Sequence, residues 1–157
     1  MINKKVRKHL ENNIFINIGT SDATNRPNVA PKFLLKLEDN YVFLVDYVIS
    51  RTWRNMKENQ QVSMSIVDHE SLIGFQLNGI AEIVENNNLY KELMVELQKR
   101  QISLSSKRVV EGLHRGKKHS NYEIVFPEKI IFFKIAVKEI IEISPTGELK
   151  FDKIVGG

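Results

Sequence analysis

Apolar residues gather in strand-length runs separated by short polar clusters through most of this chain, a pattern that predicts β-strands joined by turns. Strands are expected over 14–19 (IFINIG), 28–37, 41–47 and 62–67, the last with apolar and polar residues in alternation. The cluster TSDATNRP separates the first two, and Glu38, Asp39 and Asn40 form a compact hairpin turn before the third. A fifth strand is expected over 73–84, with Gly79 inside it marking a bulge or a close backbone approach. Strands over 129–137, 139–143 and 148–151 close the chain, the last two joined by a Ser-Pro-Thr-Gly turn.

Helical spacing is confined to three places. Val6 and Leu10 stand four apart within 4–11, which predicts a short amphipathic helix. The polar run SRTWRNMKEN, residues 50–59, predicts a second helix directly after a strand. The asparagines at 86–88 cap a third over 89–100, with Leu89, Leu93, Val95 and Leu97 on its apolar side, and 101–122 is polar and mixed. Many antiparallel strands with short turns and no regular helical crossovers argue for a small β-barrel with peripheral helices in a single domain over 1–157, its core in 14–143.

Composition narrows the chemistry. The 157 residues include no cysteine, which excludes disulfides, iron–sulfur clusters, thiolate zinc sites and cysteine nucleophiles. No apolar run approaches the roughly 20 residues that span a bilayer, and residues 1–8 are too polar for a secretory signal, so no membrane partner and a cytoplasmic location are expected. The net charge of +4 suits an anionic ligand but is small for nucleic acid without a localised patch. The basic residues from Arg100 to His119 could form such a patch, a lid for an anionic substrate or a solvated loop; no aromatic interleaves them, so base stacking is not expected. His114 and His119 lie five apart with no carboxylate pattern, and no metal site is expected.

The candidate chemistry lies between Arg26 and Asn59. Pro27 and Pro31 lack an N–H, so their strand is expected to lie at an edge or at a gap in the ladder, with Lys32 and Phe33 at the same place. The next strand delivers Val45, Asp46 and Tyr47, and Ser50, Arg51 and Thr52 follow where a helix begins. Hydroxyls, a guanidinium and unpaired backbone N–H groups at one helix start suit a phosphate. Taken singly, Ser50 or Thr52 is an ordinary N-cap, Arg51 a surface charge and Asp46 half of an ion pair.

PNVAPKF, VFLVDY and SRTWRNMKENQQVSMSI together resemble the FMN-binding split barrels of the pyridoxamine 5′-phosphate oxidase-like family. The resemblance covers 14–85, with Asn55-Met56-Lys57-Glu58-Asn59-Gln60 standing for the family's Asn-Leu-x-x-Asn-Pro helix. It implies a split β-barrel that holds FMN at a two-fold interface. Arg51 and Thr52 would bind the phosphate, Ser50 would cap the helix or add a donor, and Lys57 would add charge. Val29, Ala30, Pro31, Lys32 and Phe33 would line the ring, while Val45, Asp46 and Tyr47 would flank the ribityl chain. Gln76, with Asn78 beside it, would reach in from the partner subunit. The implied activity is FMN-dependent oxidoreduction of a small molecule, with NAD(P)H as a candidate donor. A non-catalytic flavin carrier, store or sensor, and a deazaflavin binder of the same fold, are the alternatives. The chain ends in Lys-Ile-Val-Gly-Gly where the vitamin B6 oxidase has Arg-Leu-x-Pro, so that reaction itself is not expected. A haem-degrading relative would carry an axial histidine in a late tail, where only His114 and His119 stand.

Overall fold

The computed structural model describes residues 1–114 and 129–154, in two compact units. The larger unit holds 1–84 and the residues from 129 onward; the smaller holds 85–128.

The larger unit opens with helix α1 (Lys4–Glu11), capped by the Asn3 side chain, which accepts from the Val6 N–H at 3.0 Å. Its buried residues Val6 and Leu10 join Ile2 in the hydrophobic core, so the i, i+4 spacing does mark the face that docks. Strands β1 (Phe15–Ser21), β2 (Pro27–Glu38) and β3 (Tyr41–Asp46) follow, then helix α2 (Arg51–Glu58) and strands β4 (Gln61–Asp68) and β5 (Ile73–Val84). Hydrogen-bonded order is β3-β2-β1-β4-β5-β6, and β3 pairs back onto β6 (Ile131–Ile143), so six antiparallel strands close into the expected barrel. Residues alternating inward, among them Ile16, Ile18, Met64, Leu77, Phe133 and Ile135, fill its interior. In the β1–β2 turn, the Thr24 hydroxyl and the Arg26 and Thr24 backbone N–H groups bond to Asp22 and hold its carboxyl well below the usual range.

Two expectations change. The last long segment is one strand rather than two, because nothing between Val137 and Glu139 terminates extended chain. Instead the register slips between Asn78 and Gly79, leaving Lys138 as the extra residue. The bulge lets β6 pair with β3 over 131–136 and then with β7 (Leu149–Lys153) over 139–143. A Cβ added to Gly79 would lie 2.4 Å from the Ala136 carbonyl oxygen, so the bulge and the close approach foreseen there are one feature.

The smaller unit contributes helix α3 (Asn88–His114), in which Leu93 and Leu97 are buried. The Asn87 side chain accepts from the Tyr90 N–H at 3.0 Å. The helix runs fourteen residues past the expected end, to His114 and so into the segment read as polar and mixed. That segment has no proline and no glycine before Gly112, so nothing in it stops a helix already begun. Arg115, Lys117, Lys118 and His119 of the basic run lie outside the described residues.

Candidate functional site: the β2 edge and the first turn of α2

Register determines which part of β2 is open. On one side it pairs with β1 from Pro27 through Phe33; on the other, pairing with β3 begins only at Phe33. Among the described residues, 27–32 therefore have a strand partner on one side only, which is where two prolines are tolerated. Alternation then sorts the candidates. Val29 and Pro31 share the outward, exposed face, while Ala30 and Lys32 share the inward face with their partners Ile18 and Ile16. Phe33 is outward but buried, edge-on to the Phe15 ring at 5.9 Å and paired with Val45, which is also buried.

At the barrel end, Lys32 and Asp46 are both buried, and Lys32 Nζ lies 2.6 Å from Asp46 Oδ2. The Ser50 hydroxyl donates to the same oxygen at 2.6 Å and lies 3.4 Å from Lys32 Nζ. Ser50 has the extended backbone of an N-cap, but its side chain bonds no helix N–H. It fastens the β3–α2 connection instead. Asp46 is the ion-pair member that its surroundings suggested, and Lys32 is its partner rather than an edge charge in solvent. Tyr47 is half-buried, whereas Val48 and Ile49 are exposed on the same connection.

The first intrahelical bond of α2 runs from the Arg54 N–H to the Ser50 carbonyl. The N–H groups of Arg51, Thr52 and Trp53 precede it, at the electropositive end of the helix. Arg51 is exposed and has no ion-pair partner among the described residues. Lys57 is exposed one turn and a half further on, its ammonium 5.3 Å from the Trp53 ring centre. Thr52 is different. It is fully buried, and its hydroxyl accepts from Asn28 Nδ2 at 3.3 Å. Around it lies a network that the sequence did not single out: Thr20 accepts from Asn55 and Asn28, and Asn59 donates to Ser21. The legible signal was the polar spacing 52, 55, 59 on one side of a helix that docks by that side.

Gln76 lies elsewhere. Ladder pairs place Pro31, Asn17, Ser65, Gln76, Ile141 and Phe151 in one outward row across β2, β1, β4, β5, β6 and β7. Gln76 donates to Asn78 at 3.0 Å, and Asn78 to Glu139 at 2.8 Å. Along that row Gln76 stands three strand spacings from Pro31, about 14 Å, too far to touch the same ligand edge within one copy. On either side of the polar residues the face carries exposed Phe15, Val29, Val67, Ile143, Leu149 and Phe151. Of the other histidines, His9 lies on α1 with Nδ1 3.5 Å from Asp68 Oδ2 and its ring 5.1 Å from Phe75, and His69 is in the β4–β5 turn. Among the described residues no group of three or more histidine, aspartate or glutamate side chains could hold a metal ion.

The family model for pyridoxamine 5′-phosphate oxidase matches residues 2–124. The chain belongs to the pyridoxamine 5′-phosphate oxidase-like split-barrel family. No curated protein matches it in sequence. Among solved structures it is similar to HupZ of Group A Streptococcus, with 23% identity over 92% of this chain and 96% of that one and a TM-score of 0.68. It is also similar to HutZ, the haem storage protein of Vibrio cholerae, with 17% identity over 87% and 90% and a TM-score of 0.61. A pyridoxamine 5′-phosphate oxidase-related, FMN-binding protein of Nostoc punctiforme shares 10% identity over 97% and 96%, with a TM-score of 0.59. At these identities the likeness is one of fold, the FMN-type split barrel.

Proposed function

We propose that this split barrel binds FMN and serves as an FMN-dependent oxidoreductase for a small molecule, with NAD(P)H as candidate electron donor, in the cytoplasm. The observation that carries the reading is the placement of Arg51. Its guanidinium has no ion-pair partner among the described residues, and it stands beside three N–H groups at the start of α2. Together with Lys57 these supply what a phosphate monoester requires: charge, directional donors and the positive end of a helix dipole. The open stretch of β2 at Val29 to Pro31 offers backbone and the outward apolar side chains of Val29 and Pro31 to a ring. The Lys32–Asp46 pair matters electrostatically, because Asp46 neutralised by Lys32 does not repel a phosphate nearby.

When bound, the flavin supplies hydride and single-electron chemistry, so no protein nucleophile is required. Residues of this chain would anchor the phosphate and present the ring at the β2 edge. The separation of Gln76 from Pro31 supports a homodimer in which the outward face of one barrel covers that of its partner. Gln76 and Asn78 of each subunit would then reach the other's site.

The test is the visible absorbance of the purified protein, with the released chromophore identified by mass. A flavin spectrum and the mass of FMN are expected. Arg51→Ala should weaken FMN by about 1.5–3 kcal/mol, roughly 10- to 150-fold; unchanged affinity overturns the phosphate assignment. A second reading is a non-catalytic binder of haem, favoured by the similarity to HutZ and to a structure described as a haem binding protein from Mycobacterium smegmatis. A Soret band in place of the flavin bands would establish it.

A further inference from the structure

A helix laid on a barrel ordinarily docks through apolar side chains; α2 does so through Met56 and Trp53, but it also buries polar side chains beside them. Thr52, Asn55 and Asn59 stand at i, i+3 and i+7, and the first two are 0% and 3% exposed. Asn55 Nδ2 donates to Thr20 Oγ1 at 3.0 Å. Asn28 Nδ2 lies 3.4 Å from the same oxygen and 3.3 Å from Thr52 Oγ1. At the far end Asn59 Nδ2 donates to Ser21 Oγ at 2.9 Å, while its Oδ1 accepts from the Gln61 N–H at 3.0 Å. Every turn of α2 is therefore tied to β1 or β2 by a bond with a preferred direction.

Such a network contributes little net stability over apolar packing of the same shape. It does contribute geometry. Apolar surfaces tolerate sliding and rotation, whereas hydrogen bonds weaken steeply when their angles change. Thr52 follows Arg51 by one residue, about 100° around the helix, so fixing Thr52 inward fixes the backbone from which Arg51 and the first-turn N–H groups project.

We propose that Thr20, Asn28, Asn55 and Asn59 are positioning residues that hold the first turn of α2 to receive a phosphate monoester, and thereby set the site's preference for phosphorylated over unphosphorylated flavin. The Thr52 side chain acts here through the clasp and not on the phosphate. The inference rests on the flavin reading above.

The test compares the Kd of FMN with that of riboflavin, which lacks the phosphate, in the full chain and in Asn55→Leu, Thr20→Val and Thr20→Ser. Thr20→Val keeps volume, Asn55→Leu keeps the branching of the side chain, and both lose the bond; Thr20→Ser keeps the hydroxyl. The expected result is a loss of about tenfold or more in FMN affinity in the first two, with riboflavin unchanged and Thr20→Ser like the parent. A merely structural role would weaken both flavins together or neither, and an unchanged FMN-to-riboflavin ratio overturns the proposal. Asn28→Ala, at the half-buried rim of the network, gives the same comparison if a core variant does not fold. A parent protein that does not itself prefer FMN overturns the phosphate site and the clasp with it. A parent that does, with Arg51→Ala abolishing the preference and the clasp variants retaining it, overturns the clasp alone.

Discussion

At Lys32 a single side chain links the fold to the chemistry proposed for it. Alternation along β2 turns it inward beside Ile16, where its ammonium has Asp46 and Ser50 as partners. Removing one member of a buried pair leaves the other's charge desolvated, a cost of about 3–5 kcal/mol, whereas replacing both with apolar groups of like volume is often neutral. Lys32→Met should therefore lower the unfolding free energy by that amount in chemical denaturation, and Lys32→Met with Asp46→Leu should recover most of it. A double-variant loss equal to the sum of the losses from Lys32→Met and Asp46→Leu made singly would mean that the pair is not coupled. The sequence placed Lys32, Asp46 and Ser50 near one another, since β2, β3 and α2 are contiguous. It could not say that Lys32 is buried, because that depends on which way a strand with two prolines faces.

Elements differ in how far their boundaries could be read. Strands β4 and β5 and helices α1 and α2 fall within two residues of expectation, since Asn, Gly and polar clusters punctuate them. Between β5 and β6 the bulge replaces a break, and Gly79 is its fixed point. Gly79→Ala drives a Cβ against the Ala136 carbonyl, which is backbone and can yield only by moving β6. A loss of about 1–3 kcal/mol is expected, seen as a lower thermal midpoint; an unchanged midpoint would show that β6 gives way without cost. The polar side of α2 was visible as spacing but not as a clasp, because Thr20 and Asn28 reach it from strands 24 or more residues earlier in the chain.

Across the whole barrel, the outward face of β1, β4, β5, β6 and β7 sets a polar row of Asn17, Ser65 and Gln76 among exposed apolar side chains. Isolated exposed apolar residues are common, but a contiguous face of them is the mark of an interface. Under the proposed homodimer, Val67→Glu, at a position 52% exposed in one copy, should halve the mass measured by light scattering and release the flavin. If the variant stays dimeric and coloured, this face is not where the copies meet.

From the amino-acid order alone come the strand and helix types, the barrel class, the absence of cysteine chemistry and the cluster at 50–52. These are local properties, fixed by side-chain period, by proline and glycine, and by composition. Only the tertiary structure decides which of the clustered residues face a ligand. It leaves Arg51 open, turns Thr52 into a buried network, commits Lys32 to Asp46 and carries Gln76 three strands away from Pro31. The reason is geometric. For Lys32 and Gln76 facing is set by register between strands distant in sequence, and a shift of one residue would send each to the opposite side of the sheet. For Arg51 and Thr52 it is set by the side on which α2 docks, about 100° of turn separating the two.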